Sequence, residues 1–330
     1  MDIVITWVNS NDKNWKEKIQ KYKTYNLNNQ LGGEVKERYR DYGTLKFLFR
    51  SIEKYAPWVR KIFLITDNQV PSWMDTNNKK VKIIDHKDII NSKYLPVFNS
   101  NVIEWNMYKI PNLSQNFVYF NDDMLLNKPV TENDFFKNGK PCDCRVYTSM
   151  VPVNNFFHVL VNNDILINNY VKNKSKNWPM SGYGIFSLKY KTKLLRNLVL
   201  YMELKKSGIP AYFDPHGPIS FKKDSFKLAD KIWHSEIEIN NTHKFREFSD
   251  ISIWLVRYLQ LELGDFSIRR SDFNGWYTIN DVKSVIEDLA KSKSYTLCIN
   301  DTASENYDNN TSKISKALEK KFSKKSKFEK

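Results

Sequence analysis

Cysteine is scarce, with three in 330 residues, at Cys142, Cys144 and Cys298. Cys142 and Cys144 have one residue between them, too close for an ordinary bridge, and no second spaced pair completes a zinc site. A disulfide framework is therefore excluded, and a reducing, cytosolic setting is expected. Glycine is thin as well, at 10 residues, and none falls into GxGxxG or GxxxxGK, which disfavours Rossmann dehydrogenases and P-loop kinases. A missing GxSxG elbow disfavours α/β-hydrolases. The five histidines show no HExxH spacing. No stretch approaches the 18 apolar residues of a membrane span, and MDIVITWVN lacks the basic start and long apolar run of a signal peptide, so any membrane contact is expected to be peripheral, at the inner face.

What is present is a globular composition with a formal net charge of +15. The excess gathers in residues 312–330, SKISKALEKKFSKKSKFEK. That run reads either as a solvated, frayed end or as a patch for an anionic membrane face or polyanionic product. No helix-turn-helix, zinc-finger or RNA-binding signature accompanies it, so nucleic acid is not the expected partner.

Apolar runs at DIVITWV, KIFLITD, VKIIDH and NFVYFNDD read as buried strands. Helical spacing in TLKFLFRSIEKYA places Leu45, Leu48, Phe49 and Ile52 on one face, and NVIEWNMYKI is a further helical segment. Strands alternating with helices predict an α/β fold on a largely parallel sheet, with ligands beyond the carboxyl ends of the strands. Three of those ends run into polar residues: Asn9 to Asp12, Asp67-Asn68, and Asn121-Asp122-Asp123. The pattern then predicts three regions: an α/β core over 1–140, a mainly helical region over 141–310 and the basic tail over 311–330. SDISIWLVRYLQLELG is a strong helix, with Asp250 suited to its N-terminal dipole and Gly264 to its end.

Two adjacent carboxylates, Asp122 and Asp123, repel one another unless a cation or donors offset them; they suit Mg²⁺ or Mn²⁺ on a diphosphate, or else a simple turn. His216 sits between Pro215 and Gly217-Pro218 in a stiff loop, placed either as a general base or to satisfy loop backbone. His234 and His243 read as surface or structural residues. Arg246 precedes the strong helix and reads as a phosphate fork or a surface ion pair. Arg38, Arg40 and Asp41 form a charged turn open to either a binding or a capping role. Residue chemistry alone thus reaches an α/β enzyme acting on a phosphorylated or nucleotide-linked substrate.

Together these segments resemble the four conserved regions of the Stealth family of capsular polysaccharide phosphotransferases, relatives of the animal N-acetylglucosamine-1-phosphotransferase. DIVITWVNSND is similar to the first region, and residues 38–130 to the long second one. HGPISF with HKFREFSDISIWLVRYLQL is similar to the third, and LCINDTASEN to the fourth. The third departs most, its histidine motif reduced to His216-Gly217-Pro218. No lysosomal-type regulatory module is seen, which points to the bacterial capsule branch.

The resemblance implies a nucleotide-sugar-transferase (Rossmann-like, GT-A-like) core with an added helical region. It implies transfer of a sugar-1-phosphate, N-acetylhexosamine-1-phosphate on a uridine carrier as the first expectation, to a glycan hydroxyl with loss of nucleoside monophosphate. Asp122 and Asp123 are then expected to hold Mg²⁺ or Mn²⁺, Arg246 to offset phosphoryl charge and His216 to activate the acceptor. Thr6, Trp7, Asn9 and Asp12 are expected to line the nucleotide pocket. Arg38, Arg40, Asp41, Asn99 and Ser100 are expected to shape the donor site, and Asn300 with Asp301 to close it. The alternatives are a metal-dependent glycosyltransferase releasing nucleoside diphosphate, or a non-catalytic glycan-binding subunit of a capsule-assembly complex.

Overall fold

The computed structural model describes residues 1–23, 39–175 and 179–330. In the first half, β1 (Asp2–Thr6), α1 (Lys13–Lys23), α2 (Thr44–Tyr55), β2 (Ile62–Thr66), β3 (Val81–Asp85), α3 (Ser100–Asn106), β4 (Asn116–Asn121) and β5 (Met124–Leu126) follow in order. The middle carries β6 (Phe136–Lys137), β7 (Lys140–Asp143), α4 (Phe157–Lys174) and α5 (Leu194–Ser207). Then come β8 (Ile219–Lys222), α6 (Lys223–Ile232), α7 (His234–Asn241), α8 (Trp254–Glu262) and β9 (Ser267–Ile268). The last part is β10 (Asn274–Thr278), α9 (Val282–Lys291), β11 (Thr296–Asn300) and α10 (Tyr307–Lys321).

The four apolar runs are the four parallel strands of a central sheet ordered β3-β2-β1-β4-β8, in which only β8 runs antiparallel. Near-continuous apolar sequence follows from burial on both faces. Val4, Ile65 and Tyr119 point to one core with Trp105 and Phe226. Ile3, Ile5, Leu64 and Phe120 point to the other, with Leu48 and Phe49 of α2. Each such large side chain contributes about 1.5–3 kcal/mol on burial. A second sheet, β10-β11-β5, starts at the acidic turn after β4, so residues near 300 close over the carboxyl end of the first.

The chain after residue 141 is more than helical, because it supplies β8 to the central sheet and β10 and β11 to the second. Two further expectations are corrected. The strong helix starts at Trp254, and Asp250 lies outside it, fully buried; its carboxylate accepts from Asn99 (2.9 Å) and Asn101 (3.0 Å) and meets His243 Nδ1 at 2.7 Å. Satisfying three buried donors outweighs a dipole contact at the surface. Gly264 does end α8, at φ +66°. Residues 312–330 are not a frayed end either: Ile314, Leu318, Phe322 and Phe328 are buried, and Arg50 grips Glu329 with two bonds of 2.7 Å.

Among the described residues, one buried acid has no hydrogen-bond partner on either oxygen. Asp164 on α4 has neither carboxylate oxygen hydrogen-bonded, and burial pushes its carboxyl up to about 8. The folded protein therefore holds a proton there that the unfolded chain gives up near pH 4. Stability should fall as pH rises from about 4 to about 8, by about 1.4 kcal/mol per unit from this group, and level off above. Asp164→Asn removes that slope and should be the more stable form at pH 8. Urea midpoints across that range check it, and parallel pH profiles for the two proteins refute it.

Candidate active site

The site forms where the carboxyl ends of β1 and β4 meet the turn into β5. β4 delivers Asn121, and the tight turn that follows sets Asp122 and Asp123 side by side. Asp123 Oδ2 accepts from the Cys298 thiol of β11 at 3.3 Å, whereas Oδ1 is buried without a partner. Burial raises the Asp122 carboxyl well above the usual range, and the charges of Asp123 and then Asp41 raise it further. Asp123 is also raised, chiefly by burial, with His216 and the Cys298 hydrogen bond pulling back. Two crowded carboxylates with an orphan oxygen match the donor set that Mg²⁺ or Mn²⁺ takes when it is shared with substrate phosphates. No group of three or more such ligands occurs among the described residues, so the cation's other positions would belong to water and substrate.

Facing the pair, a stiff loop carries His216. Tyr212 donates to the buried Glu262 (2.7 Å) and stacks on Tyr258, and the Phe213 carbonyl accepts from Arg257 (3.3 Å). Arg257 is itself bound to Asp143 by bonds of 2.7 and 2.9 Å. After Pro218 the chain enters β8, so both ends of the loop are fixed. His216 adopts φ +44°, an uncommon backbone for a non-glycine residue and one that concentrates at functional sites. Its N–H donates to Asp214 Oδ1 (2.5 Å), and its Nδ1 lies 3.3 Å from Asp214 Oδ2. Nε2 has no hydrogen-bond partner among the described residues. Burial alone would lower this imidazole, but the Asp214 hydrogen bond and the charges of Asp214 and Asp123 outweigh it and leave its pKa raised.

A third group lies on the β1 side. The Thr6 hydroxyl meets the Tyr119 hydroxyl at 2.8 Å, which donates to Asn121 Oδ1 at 2.5 Å. Arg246 Nη2 donates to Ser100 Oγ (3.0 Å), and Glu104 lies against Ser100 and Tyr119. Burial pushes the Glu104 carboxyl up to about 7, against the pull of Arg246 and the two hydroxyls. Trp7 donates its indole N–H to Asp41 (2.9 Å), and Arg40 forms a bidentate pair with Asp301 (2.7 and 2.8 Å).

The structure thus brings Thr6, Trp7, Arg40, Asp41, Ser100, Asp122, Asp123, His216, Arg246 and Asp301 around one strand-end region. Asn300 ends β11 beside them, its carbonyl accepting from Ile279 at 3.1 Å. Three others act from behind. Asp12 caps α1 through Trp15 N–H (2.8 Å), Asn9 clamps Gln69 and its own turn, and Asn99 is fully buried, capping α3 and holding Asp250. Asn99 shapes the site by placing Ser100, not by facing it. Arg38 lies outside the described residues.

Three site residues escaped the sequence reading. Asp214 stands two before the histidine, a spacing open to a side chain-to-backbone turn. Glu104 is the one acid on the short helix α3, one turn after Ser100. Cys298 gave no local signal; only the second sheet brings it to Asp123.

Residues 38–143 match Stealth protein CR2, conserved region 2. A capsular polysaccharide phosphotransferase, WcwK, of Streptococcus pneumoniae is 40% identical over 337 residues, spanning 100% of this chain and 98% of its own. The chain belongs to the Stealth family. An exopolysaccharide phosphotransferase of Lactiplantibacillus plantarum is 37% identical over 100% of this chain and 96% of its own. Among solved structures, the galactosyltransferase LgtC aligns over 96% of either chain with a TM-score of 0.41 and 10% identity. The matched Stealth region contains Arg40, Asp41, Ser100, Glu104 and the acidic pair, so most of the site's first half lies inside it.

Proposed function

We propose that this Stealth protein is a transferase of capsule or exopolysaccharide synthesis that moves a sugar-1-phosphate from a nucleotide-sugar to a glycan hydroxyl. The observation that supports it best is the facing arrangement of the Asp122–Asp123 pair and an Asp214-backed His216 at one strand end, in a chain whose full-length relatives are named polysaccharide phosphotransferases. In the reaction, an acceptor oxygen forms a bond to the phosphorus that bears the sugar. The bond from that phosphorus to the nucleoside monophosphate oxygen breaks, and the monophosphate leaves with the electron pair.

Positioning and charge neutralisation dominate such a transfer. Asp122 and Asp123 would hold Mg²⁺ or Mn²⁺, which supplies positive charge against the donor diphosphate. His216 Nε2 takes the acceptor proton, while Asp214 holds Nδ1 and so fixes the ring and its tautomer. Arg246, seated on Ser100, offers its remaining guanidinium donors to phosphoryl oxygens. Uridine and an N-acetylhexosamine are the donor parts to test first.

Because His216 is raised above its ordinary value, the neutral base becomes abundant only above pH ~6.5, and turnover should climb through that limb. Asp214→Asn should move the limb to lower pH and reduce the plateau by roughly tenfold. An unmoved limb would show that His216 is not the titrating base. The reaction itself is tested by phosphorus NMR of product formed with nucleotide-sugars and capsule oligosaccharides. A new phosphodiester resonance with nucleoside monophosphate is expected; nucleoside diphosphate with a phosphorus-free glycan overturns the proposal.

A further inference from the structure

α5 buries one side against the protein and carries large apolar side chains on the other. Asn197 and Leu204 are fully buried and face the protein. On the opposite side Leu195 (64% exposed), Leu198, Val199 (74%) and Met202 (60%) lie in water. At 3.6 residues per turn these four share an arc of about 100°, centred away from the buried pair. Leu188, just before the helix, is 89% exposed. Single exposed apolar residues are ordinary, but a contiguous stripe of large ones marks a surface that is covered in use.

The charge around the stripe identifies its cover. Residues 188–207 contain six basic residues and one acid, Glu203. Lys191 is paired with Asp272, while Arg196 and Lys206 stay exposed on the helix. A second copy of this chain would set that positive rim against itself. An anionic lipid surface instead complements it, and accepts the apolar stripe at the depth of the acyl boundary. The stripe also leads towards the site. Arg196 reaches Thr148 at 3.5 Å, Val151 and Val153 beyond it are exposed, and Phe156 lies 5.4 Å from the Arg246 guanidinium.

We propose that the outer face of α5, with Leu188, docks this protein on an anionic phospholipid bilayer, a role for which the C-terminal lysine run is not needed. The reading is independent of the reaction catalysed. Flotation with phosphatidylcholine vesicles, with and without phosphatidylglycerol, tests it. The full chain should float with the anionic vesicles and weakly with the neutral ones. The triple variant Leu195→Gln, Val199→Gln, Met202→Gln keeps good helix formers at exposed positions and should lose roughly tenfold or more in partition, with far-ultraviolet dichroism and turnover on soluble substrates unchanged. Arg196→Gln with Lys206→Gln should lose several-fold, and only on anionic vesicles. Failure of the parent protein to float, or equal flotation of the triple variant, overturns the proposal. So does a sedimentation mass that is dimeric for the parent and monomeric for the triple variant, which would make the face a self-contact.

Discussion

Asp123→Asn is expected to lower turnover by roughly 10³-fold while raising the melting temperature. The two changes have one origin. Asp123 is half-buried beside Asp122, with one oxygen enclosed and unpartnered and its carboxyl pushed up by desolvation. In the empty protein this is a liability, since like charges at a buried strand end oppose folding. Asparagine has the same shape, retains an oxygen for the Cys298 thiol, and removes the repulsion; about 1 kcal/mol of added stability is reasonable. In the reaction the same charge is what would hold the cation against the diphosphate. Losing an electrostatic group of this kind costs on the order of 10²–10³ in rate, about 3–4 kcal/mol of barrier. Chelation with EDTA should silence the parent protein and add little to the loss in the variant. Retained turnover in Asp123→Asn, or indifference of the parent to EDTA, would falsify the metal role. A drop in melting temperature would instead show that the pair is held by structural contacts in the empty state.

That paired carboxylates lie at a strand end was legible because strand sequence and strand position are local. FVYFNDD declares both the buried strand and its polar exit, and the same holds for DIVITWVN. What could not be read is what meets those ends. Glu104 and Asp214 reach the site through folding of segments roughly 20 and 90 residues away in sequence from the acidic pair, and such non-local pairing leaves no periodic trace. Asn99 shows the converse. It sits next to Ser100 in sequence, yet one side chain faces the arginine and the other is consumed by a buried Asp250 network. The helix begins four residues after Asp250, since Ser252 and Ile253 are committed to the core before the helical turn opens. For residues 312–330 the lysine content hid a legible pattern: Ile314, Leu318 and Phe322 recur at one helical face. Lysines exposed on one face do not prevent burial of the other.

Deleting residues 322–330 should therefore remove most of the stability of the molecule. Phe322 packs edge-on against Tyr55 (5.9 Å), and Phe328 against Phe49 (5.6 Å), both in cores that contain α2. Their burial is worth ~1.5–3 kcal/mol each. Arg50 gives two bonds to Glu329 and a third to the Phe322 carbonyl (2.7 Å), so the deletion removes these charge-assisted bonds and opens the guanidinium to water, at a cost of about 1.5–3 kcal/mol. The sum is of the order of the whole folding free energy of an ordinary domain. Insoluble or largely unfolded protein is the expected outcome. Glu329→Ala gives a graded version: about 3 kcal/mol lost and a melting point lower by roughly 6 °C, with kcat and KM unchanged below the transition, because Arg50 bonds to Glu329 and to the Phe322 carbonyl, and neither it nor Glu329 bonds to a site residue. A deletion that melts within a degree of the parent protein would return these residues to being a solvated end and would leave Arg50 to be satisfied by water.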